Sequence, residues 1–262
     1  MSLPIDELLK IMRRLRAEGG CSWDRAQTFA SIAPYTIEEA YEVADAIERD
    51  NMPALKEELG DLLFQVVFHS TMAEELRQFD FGQVAGAICD KLKRRHPHVF
   101  GDAPALSVAQ QSAVWEDIKA AERGRVAQVG HLDGVPQALP ALMRAHKLSK
   151  RAARVGFDWD HADQTADKVA EELSEVREAA LKHPGETAHA EVFEEVGDLL
   201  FAAANLARKL NVDAEAALRA ANAKFERRFR AMEALAATRG ETFAQLDLAA
   251  QESLWLAVKQ GE

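Results

Sequence analysis

The strongest constraint on this fold is that the chain carries the same sequence pattern twice. Four blocks occur in the same order in each half, and one of them, an eight-residue run, is identical at seven of its eight positions. The paired blocks are 3–24 with 139–160, 38–42 with 171–175, 57–64 with 194–201, and 91–95 with 224–228. Because an ordered series of matches is the signature of an internal repeat, the sequence predicts two copies of one structural unit.

The apolar periodicity predicts that both copies are helical. No segment shows the alternation of apolar and polar residues that is typical of a strand. Proline and glycine gather between about 96 and 136, which indicates a connector with one short helix. Helices are expected near 4–17, 36–49, 53–77, 82–95, 109–123, 140–154, 164–182, 187–209, 214–238 and 243–259. We predict an all-α fold of two tandem helical domains with antiparallel helix-bundle packing, 1–124 and 139–262, joined by a linker at 125–138.

Composition and charge exclude several classes of protein. The 262 residues carry a formal charge of −11, which argues against nucleic acid as a partner because duplex binding depends on a basic surface. Cys21 and Cys89 have no metal-ligand spacing, and no apolar run approaches the roughly 20 residues that span a bilayer. Nothing resembles a signal peptide, so we expect a cytoplasmic protein without a membrane partner.

Carboxylates cluster on one face of two helices in each copy. At about 100° per residue, Glu38, Glu39 and Glu42 share a helix face, and Glu57, Glu58 and Asp61 repeat that geometry. Apolar residues flank both sets, so packing the two helices would bring their acidic faces together. Two like charges about 4 Å apart repel by about 4 kcal/mol at an effective dielectric near 20. Either some of these groups stay protonated or a hard cation neutralises them.

The ligand type favours Mg²⁺, with Mn²⁺ as a possible substitute. Both spacings lack the histidine that di-iron helical bundles require, and Mg²⁺ commonly completes its shell with substrate phosphates. Gly60 and Gly197 lie inside predicted helices, which suggests close approach to the backbone there. The alternative is an ordinary solvated acidic face, but the same geometry beside the same apolar run in both copies makes that interpretation weaker.

These residues resemble a known family. Glu-Glu-x-x-Glu followed by Glu-x-x-Asp, with the strings 34–39 and 94–100, is similar to the all-α nucleoside triphosphate pyrophosphatase superfamily, and the tandem arrangement resembles its MazG family. The resemblance implies a helical homodimer that hydrolyses nucleoside triphosphates, ATP among them, to the monophosphate and pyrophosphate with broad base tolerance.

The resemblance also implies roles for particular residues. Glu171, or Glu38 in the first copy, is the candidate general base that orients the attacking water. The implied Mg²⁺ ligands are Glu172, Glu175, Glu195 and Asp198 in the second copy, and Glu39, Glu42, Glu58 and Asp61 in the first. The expected substrate contacts are Lys168, Glu171, Glu172, Glu191, Glu194, Asp198, Lys224, Arg227, Arg228, Trp159 and Trp255, with Lys91, Arg94, Arg95 and Trp23 in the first copy.

The substrate contacts have simpler explanations as well. Three basic residues in each copy share a helix face that could hold a phosphate tail, yet cations are also common near helix ends. The tryptophans could stack on a base, yet each could equally be a buried structural residue. Lys168 lies one turn before Glu172, where the first copy has Tyr35. We therefore expect the second copy to be the main catalytic unit.

Three functional hypotheses follow. The first is a general nucleoside triphosphate pyrophosphohydrolase, and the second is a house-cleaning relative selective for dUTP or modified nucleotides. The third is a non-catalytic helical module for regulation or dimerisation, whose carboxylates bind Mg²⁺ structurally.

Overall fold

The described part of the chain is built from helices, as the sequence predicts. The computed structural model describes residues 3–104, 107, 111, 114, 118, 130–182 and 189–262. All of its regular structure within those residues is helical, which confirms the all-α class and the two tandem helical domains. The chain divides into two compact units, Met1–Glu122 and Arg123–Glu262.

Each unit centres on a pair of long consecutive helices. In the first unit the helices are α1 (Pro4–Arg16), α2 (Ser22–Ala26), α3 (Phe29–Glu48), α4 (Met52–Glu75), α5 (Phe81–Arg95) and α6 (Pro97–Phe100). In the second they are α7 (Ala141–Ala153), α8 (Ala162–Lys182), α9 (Ala190–Lys209), α10 (Ala214–Thr238), a 3₁₀ turn (Phe243–Gln245) and α11 (Leu248–Gln260). The pairs α3 with α4 and α8 with α9 make the most extensive contacts of their units.

Local capping explains where the long helices begin. The side chain of Asn51 accepts a hydrogen bond from the backbone N–H of Ala54 at 3.2 Å, at the start of α4. Asp213 does the same for Ala216 at 2.9 Å, at the start of α10. Both bonds satisfy a backbone donor that the first turn leaves without a helical partner.

Helix α3 begins earlier than the sequence predicts. Its start was predicted near 36, two residues after Pro34, but α3 begins at Phe29 and contains Pro34. Thr28 and Ser31 form a reciprocal capping box that starts the helix, and Pro34 lies six residues after Thr28. The prediction was wrong because the cap starts the helix before the proline, whose ring removes one helical hydrogen bond without ending the helix.

Other boundaries also differ from the prediction. The short helices α2 and α6 were not predicted, and the helix expected over 243–259 is a 3₁₀ turn followed by α11, which starts at Leu248. Asp247 caps α11 by accepting from the backbone of Ala250, so the α-helix begins there. The helix predicted over 109–123 lies largely outside the described residues, as does part of the linker predicted at 125–138. None of the helices in the described ranges has the length and hydropathy that crossing a membrane requires.

Each unit has its own buried apolar cluster. In the first unit the buried cluster consists of Met12, Ile32, Val67, Phe68 and Met72. In the second unit Met232, Ala236 and Leu254 join α10 to α11. The first cluster ties α1, α3 and α4 together, and so fixes the pair of helices that carries the first set of carboxylates.

Replacing Phe68 by alanine tests this packing, because Phe68 is fully buried in the core of the first unit. We expect the free energy of unfolding to fall by about 3–5 kcal/mol, the usual result of removing a buried aromatic ring. Denaturant unfolding followed by circular dichroism measures it. Phe100→Ala is the matched control, because that ring is 62% exposed and should cost about 0.5 kcal/mol or less. Equal losses in the two variants would contradict the assignment of the core.

Candidate functional site

The first unit brings three of its predicted carboxylates together. Glu39 and Glu42 lie on α3 and Glu58 lies on α4, and one oxygen from each lies within 4.8 Å of the others. The connection between α3 and α4 is only three residues long, so the helices are antiparallel neighbours and their acidic faces meet. Asp61, one turn after Glu58, is close enough to raise the pKa of both Glu39 and Glu58.

The electrostatics of this group are those of crowded anions. Burial raises the pKa of Glu39, and Asp61 and Glu42 raise it further. The pKa of Glu58 is raised by partial desolvation first, and then by Glu42 and Asp61. Each carboxylate makes ionisation of its neighbours less favourable, so a bound cation would stabilise the ionised group.

The second unit repeats this arrangement with deeper burial. Glu172 and Glu175 lie on α8 and Glu195 on α9, again with one oxygen from each within 4.8 Å of the others. Glu172 is only 6% exposed. A hydrogen bond with Glu172 raises the pKa of Glu175, with desolvation and the Glu172 charge adding to the effect. A buried carboxylate beside two others is costly unless a positive charge offsets it.

A lysine partly offsets that cost in the second unit. The ammonium group of Lys168 lies 2.9 Å from a carboxylate oxygen of Glu171 and 2.8 Å from one of Glu172. Hydrogen bonds to Glu172 and Glu171 raise the pKa of Lys168, so it stays charged. In the first unit the matching residue is Tyr35, whose ring packs edge-on against Trp23 with 6.2 Å between ring centroids. The two sites therefore differ by one internal cation.

A cavity of about 420 Å³ opens beside the carboxylates of the second unit. Lys168, Glu172 and Asp198 supply charged groups to its wall, and most of the remaining wall is apolar. The full lining is Leu132, Leu148, Ser149, Ala152, Phe157, Asp158, Trp159, Lys168, Glu172, Asp198, Phe201, Ala202 and Asn205. A pocket of this size with a few charged groups and apolar walls is typical of a small-molecule site.

An ion cluster fixes the loop that forms one wall of the cavity. Asp158 accepts a hydrogen bond from Arg208 at 2.5 Å and one from Lys209 at 3.3 Å, and Lys209 also donates to the backbone carbonyl of Trp159. Burial alone would raise the pKa of Asp158, but the hydrogen bonds and charges of Arg208 and Lys209 outweigh it and lower the pKa. The loop that carries Trp159 is thus anchored to the C-terminal end of α9.

The carboxylate groups fit a hard divalent cation. All of the clustered ligand atoms are oxygens, and the groups approach each other closely enough for one ion to contact several of them. The raised pKa values of Glu39, Glu58 and Glu175 indicate negative charge that a cation would relieve. A Cβ added at Gly60 or Gly197 would meet no atom within 4 Å, so the chain leaves open space at these helix positions.

The remaining predicted acidic residues lie outside the two carboxylate clusters. Glu38 and Glu194 are exposed, and Glu171 is held by Lys168. The carboxylate of Glu191 lies 2.8 Å from the ammonium group of Lys182, near the opposite ends of α8 and α9 from the cavity loop.

The predicted phosphate-binding residues of the second unit lie on α10, and none of them lines the cavity in the described residues. Arg228 forms an ion pair with Glu262 at 2.6 Å, and its guanidinium lies 5.4 Å from the centre of the Trp255 ring. Arg227 lies 3.7 Å from Glu262, and Lys224 is exposed. These three cations and Trp255 form a separate group at the junction of α10 and α11.

In the first unit the predicted cations lie at the end of α5. Lys91 borders an apolar groove formed with Phe79, Val84 and Ile88, among others. Arg94 and Arg95 are the last two residues of the helix. Trp23 is half exposed.

Several residues of the cavity wall were not predicted. Asp158 stands next to a predicted tryptophan, but only the fold shows that Arg208 and Lys209 reach it from α9. Asn205 interrupts an apolar helical run. A polar residue in such a run is a signal from which this part of the cavity wall could have been found in the sequence.

Fold and site together define an all-α protein with a carboxylate site on a helix pair in each of two tandem units. The family model of the MazG nucleotide pyrophosphohydrolase domain matches residues 27–100, and that of phosphoribosyl-ATP pyrophosphohydrolase matches residues 139–225. The chain is 54% identical over 259 residues to a nucleoside triphosphate pyrophosphohydrolase of Escherichia coli (strain K12), covering 98% of both chains. It is 44% identical over 259 residues to the nucleoside triphosphate pyrophosphohydrolase/pyrophosphatase MazG of Thermotoga maritima, covering 98% of this chain and 96% of that one.

These matches confirm the resemblance read from the sequence. The chain belongs to the MazG nucleotide pyrophosphohydrolase family, and it is an enzyme of that class.

Replacing Glu175 by glutamine tests the crowding of charges. A carboxyl whose pKa is higher in the folded than in the unfolded protein stabilises the fold at low pH, and this stabilisation is lost as the pH rises. Without divalent ions, we expect Glu175→Gln to unfold at higher denaturant concentration than the wild type. The difference should grow as the pH rises from about 4.5, the ordinary pKa of glutamate.

Added Mg²⁺ should reverse the order of the two proteins. Mg²⁺ should raise the midpoint of the wild type, because a ligand that binds only the folded state stabilises it, and should raise that of Glu175→Gln much less. Glu178→Gln, on the same helix one turn further on, is the control and should keep the full response. An equal Mg²⁺ response in all three proteins would contradict a cation site at Glu175.

Proposed function

We propose that this chain hydrolyses nucleoside triphosphates to nucleoside monophosphate and pyrophosphate in a Mg²⁺-dependent reaction, mainly in its second unit. The observation that carries the proposal is the cavity in which Lys168, Glu172 and Asp198 meet an otherwise largely apolar wall. A nucleoside triphosphate has the same two-part character, an anionic tail and a flat, largely apolar base. The names of the relatives in Escherichia coli and Thermotoga maritima support the substrate class.

The acidic residues would hold the metal. Glu172, Glu175, Glu195 and Asp198 are its proposed ligands in the second unit, and Glu39, Glu42, Glu58 and Asp61 in the first. When bound, Mg²⁺ supplies charge that draws in phosphate oxygens and lowers the pKa of a bound water. Mn²⁺ presents the same preference for oxygen ligands and should substitute for it.

The chain's own residues would then organise the tail and the water. Lys168 can turn from Glu172 toward a phosphate oxygen once the metal neutralises that carboxylate, because its charge is then available to the tail. Glu171 would take a proton from the attacking water, since its carboxylate is exposed and lies beside Lys168. Glu38 would do so in the first unit.

The apolar part of the cavity would take the nucleoside. Trp159, Phe157 and Phe201 offer aromatic surface, and stacking on such surface tolerates any base because each base has a π face. This supports broad base specificity rather than selection of dUTP or a modified base.

The other predicted contacts extend the same proposal. Lys224, Arg227 and Arg228 on α10 are proposed to attract the phosphate tail, as are Lys91, Arg94 and Arg95 in the first unit. Glu191, Glu194, Trp255 and Trp23 stay proposed substrate contacts.

We also propose that the chain works as a homodimer. Leu200 on α9 and its counterpart Leu63 on α4 are exposed, as are Val196 and Leu59 one turn earlier. Matching apolar residues in both copies form exposed faces that a second copy of the chain would cover. Light scattering of the purified protein measures its mass directly.

Glu172→Gln tests where the reaction takes place. We expect the rate of pyrophosphate release to fall at least about 100-fold. Loss of a metal ligand should cost at least as much as loss of a residue that only supports a ligand by a hydrogen bond. The matching substitution in the first unit, Glu39→Gln, should cost much less. Phosphorus NMR of the products with each triphosphate identifies monophosphate and pyrophosphate.

Glu226→Gln is the control, because that exposed carboxylate pairs with Arg230 one turn away on α10 and with no other residue that the structure describes. Activity retained in Glu172→Gln but lost in Glu39→Gln would move catalysis to the first unit. Diphosphate and inorganic phosphate as products would refute the reaction. Mg²⁺ binding without turnover of any triphosphate would favour a non-catalytic module.

A further inference from the structure

One face of α9 runs from the carboxylate centre to the far wall of the cavity. Asp198, Phe201, Ala202 and Asn205 are spaced three, four and seven residues from the first, so they share a helix face, and all four line the cavity. Asn205 lies about 10 Å along the helix from Asp198, at a rise of about 1.5 Å per residue. It is only 6% exposed. A polar side chain is therefore buried in the part of the wall that α9 places furthest from the carboxylate centre.

The amide of Asn205 is held in one orientation. The Nε–H of Arg208 donates a hydrogen bond to Oδ1 of Asn205 at 2.8 Å. Arginine has only donors, so the oxygen of the amide must face it and the NH₂ group must face elsewhere. Within the described residues, Nδ2 of Asn205 has no hydrogen-bond partner in the protein. The cavity wall thus contains an NH₂ donor whose direction is set by a neighbouring guanidinium.

The same guanidinium also holds the loop that lines the cavity. Arg208 also donates to Asp158, and Asp158 precedes Trp159 in the loop that lines the cavity. The side chain of Arg208 is only 12% exposed, so water has little access to these two hydrogen bonds. One side chain therefore fixes a polar group of α9 and the loop that carries an aromatic group of the cavity wall.

The first unit lacks both members of this pair. In the alignment of the two acidic runs, Asn205 corresponds to Phe68 and Arg208 corresponds to Thr71. Phe68 is fully buried in the apolar core, and Thr71 donates to the backbone carbonyl of Val67 on its own helix. Among these aligned positions, only the second unit has the amide donor and the guanidinium that orients it.

We propose that Asn205 binds the nucleobase, donating from Nδ2 to a carbonyl oxygen or ring nitrogen of the base, and that Arg208 is the positioning residue that orients this donor and the Trp159 loop. The inference rests on the proposed function, because it takes the polyphosphate to lie at the carboxylates. Every common nucleobase carries acceptors on its edge, so one donor of this kind favours a base over no base without choosing among bases.

The test compares substrates with and without a base in the full-length protein. ATP, CTP and ribose 5-triphosphate are hydrolysed by wild type, Asn205→Leu and Arg208→Met, and the ratio of kcat/KM for each nucleotide to that for ribose 5-triphosphate is measured. We expect Asn205→Leu to lower this ratio about two- to tenfold, the effect of one lost neutral hydrogen bond, through KM for the nucleotide. Arg208→Met should lower it as well, and Arg208→Lys should not restore it, because lysine lacks the planar fork.

Arg230→Met is the matched control, because among the described residues Arg230 pairs with Glu226 alone, on an exposed face, and its ratio should equal that of the wild type. An unchanged ratio in Asn205→Leu would overturn the proposal. Binding of AMP, followed by calorimetry, separates this inference from the proposed function. AMP binding that weakens in Asn205→Leu, in a protein that hydrolyses no triphosphate, would support the base contact and refute the reaction. AMP binding that is equal in wild type and Asn205→Leu would refute the base contact whatever the turnover.

Discussion

The site depends on a repulsion between carboxylates, and the packing of the long helices creates that repulsion. Apolar contacts bring α3 against α4 and α8 against α9, and the acidic faces of each pair then cannot avoid one another. Burial and neighbouring charges raise the pKa of Glu39, and the same forces act on Glu58. A core that forces anions together without enough internal counter-charge is specific for a cation, because only a cation converts the repulsion into attraction.

The two copies resolve the repulsion differently. Lys168 places an ammonium group within 2.9 Å of Glu171, whereas the first unit has an aromatic residue, Tyr35, at that position. One copy therefore keeps a positive charge beside its acids and a cavity beside that charge. The other uses the matching positions for ring packing. This divergence is what the proposed division of labour requires, with catalysis mainly in the second copy.

The sequence contains the carboxylate geometry because helical periodicity is a local property. Glu39 and Glu42 share a face in any regular helix, so their spacing alone predicts the cluster. The start of α3 was predicted too late, because the cap at Thr28 lies six residues before a proline, and prolines usually end or precede helices. The cavity could not be predicted, because it depends on which distant side chains reach the 157–159 loop. Arg208 and Asp158 are 50 residues apart, and no local pattern relates them.

The anchoring of that loop at the end of α9 has a consequence for local stability. Arg208 and Lys209 are the last two residues of the helix, where backbone hydrogen bonds open most readily. When that final turn frays, Asp158 and the carbonyl of Trp159 lose their donors at the same moment. The opening of a single helical turn therefore releases this wall of the cavity. Amide hydrogen exchange at Arg208 and Lys209 measures how often the wall opens.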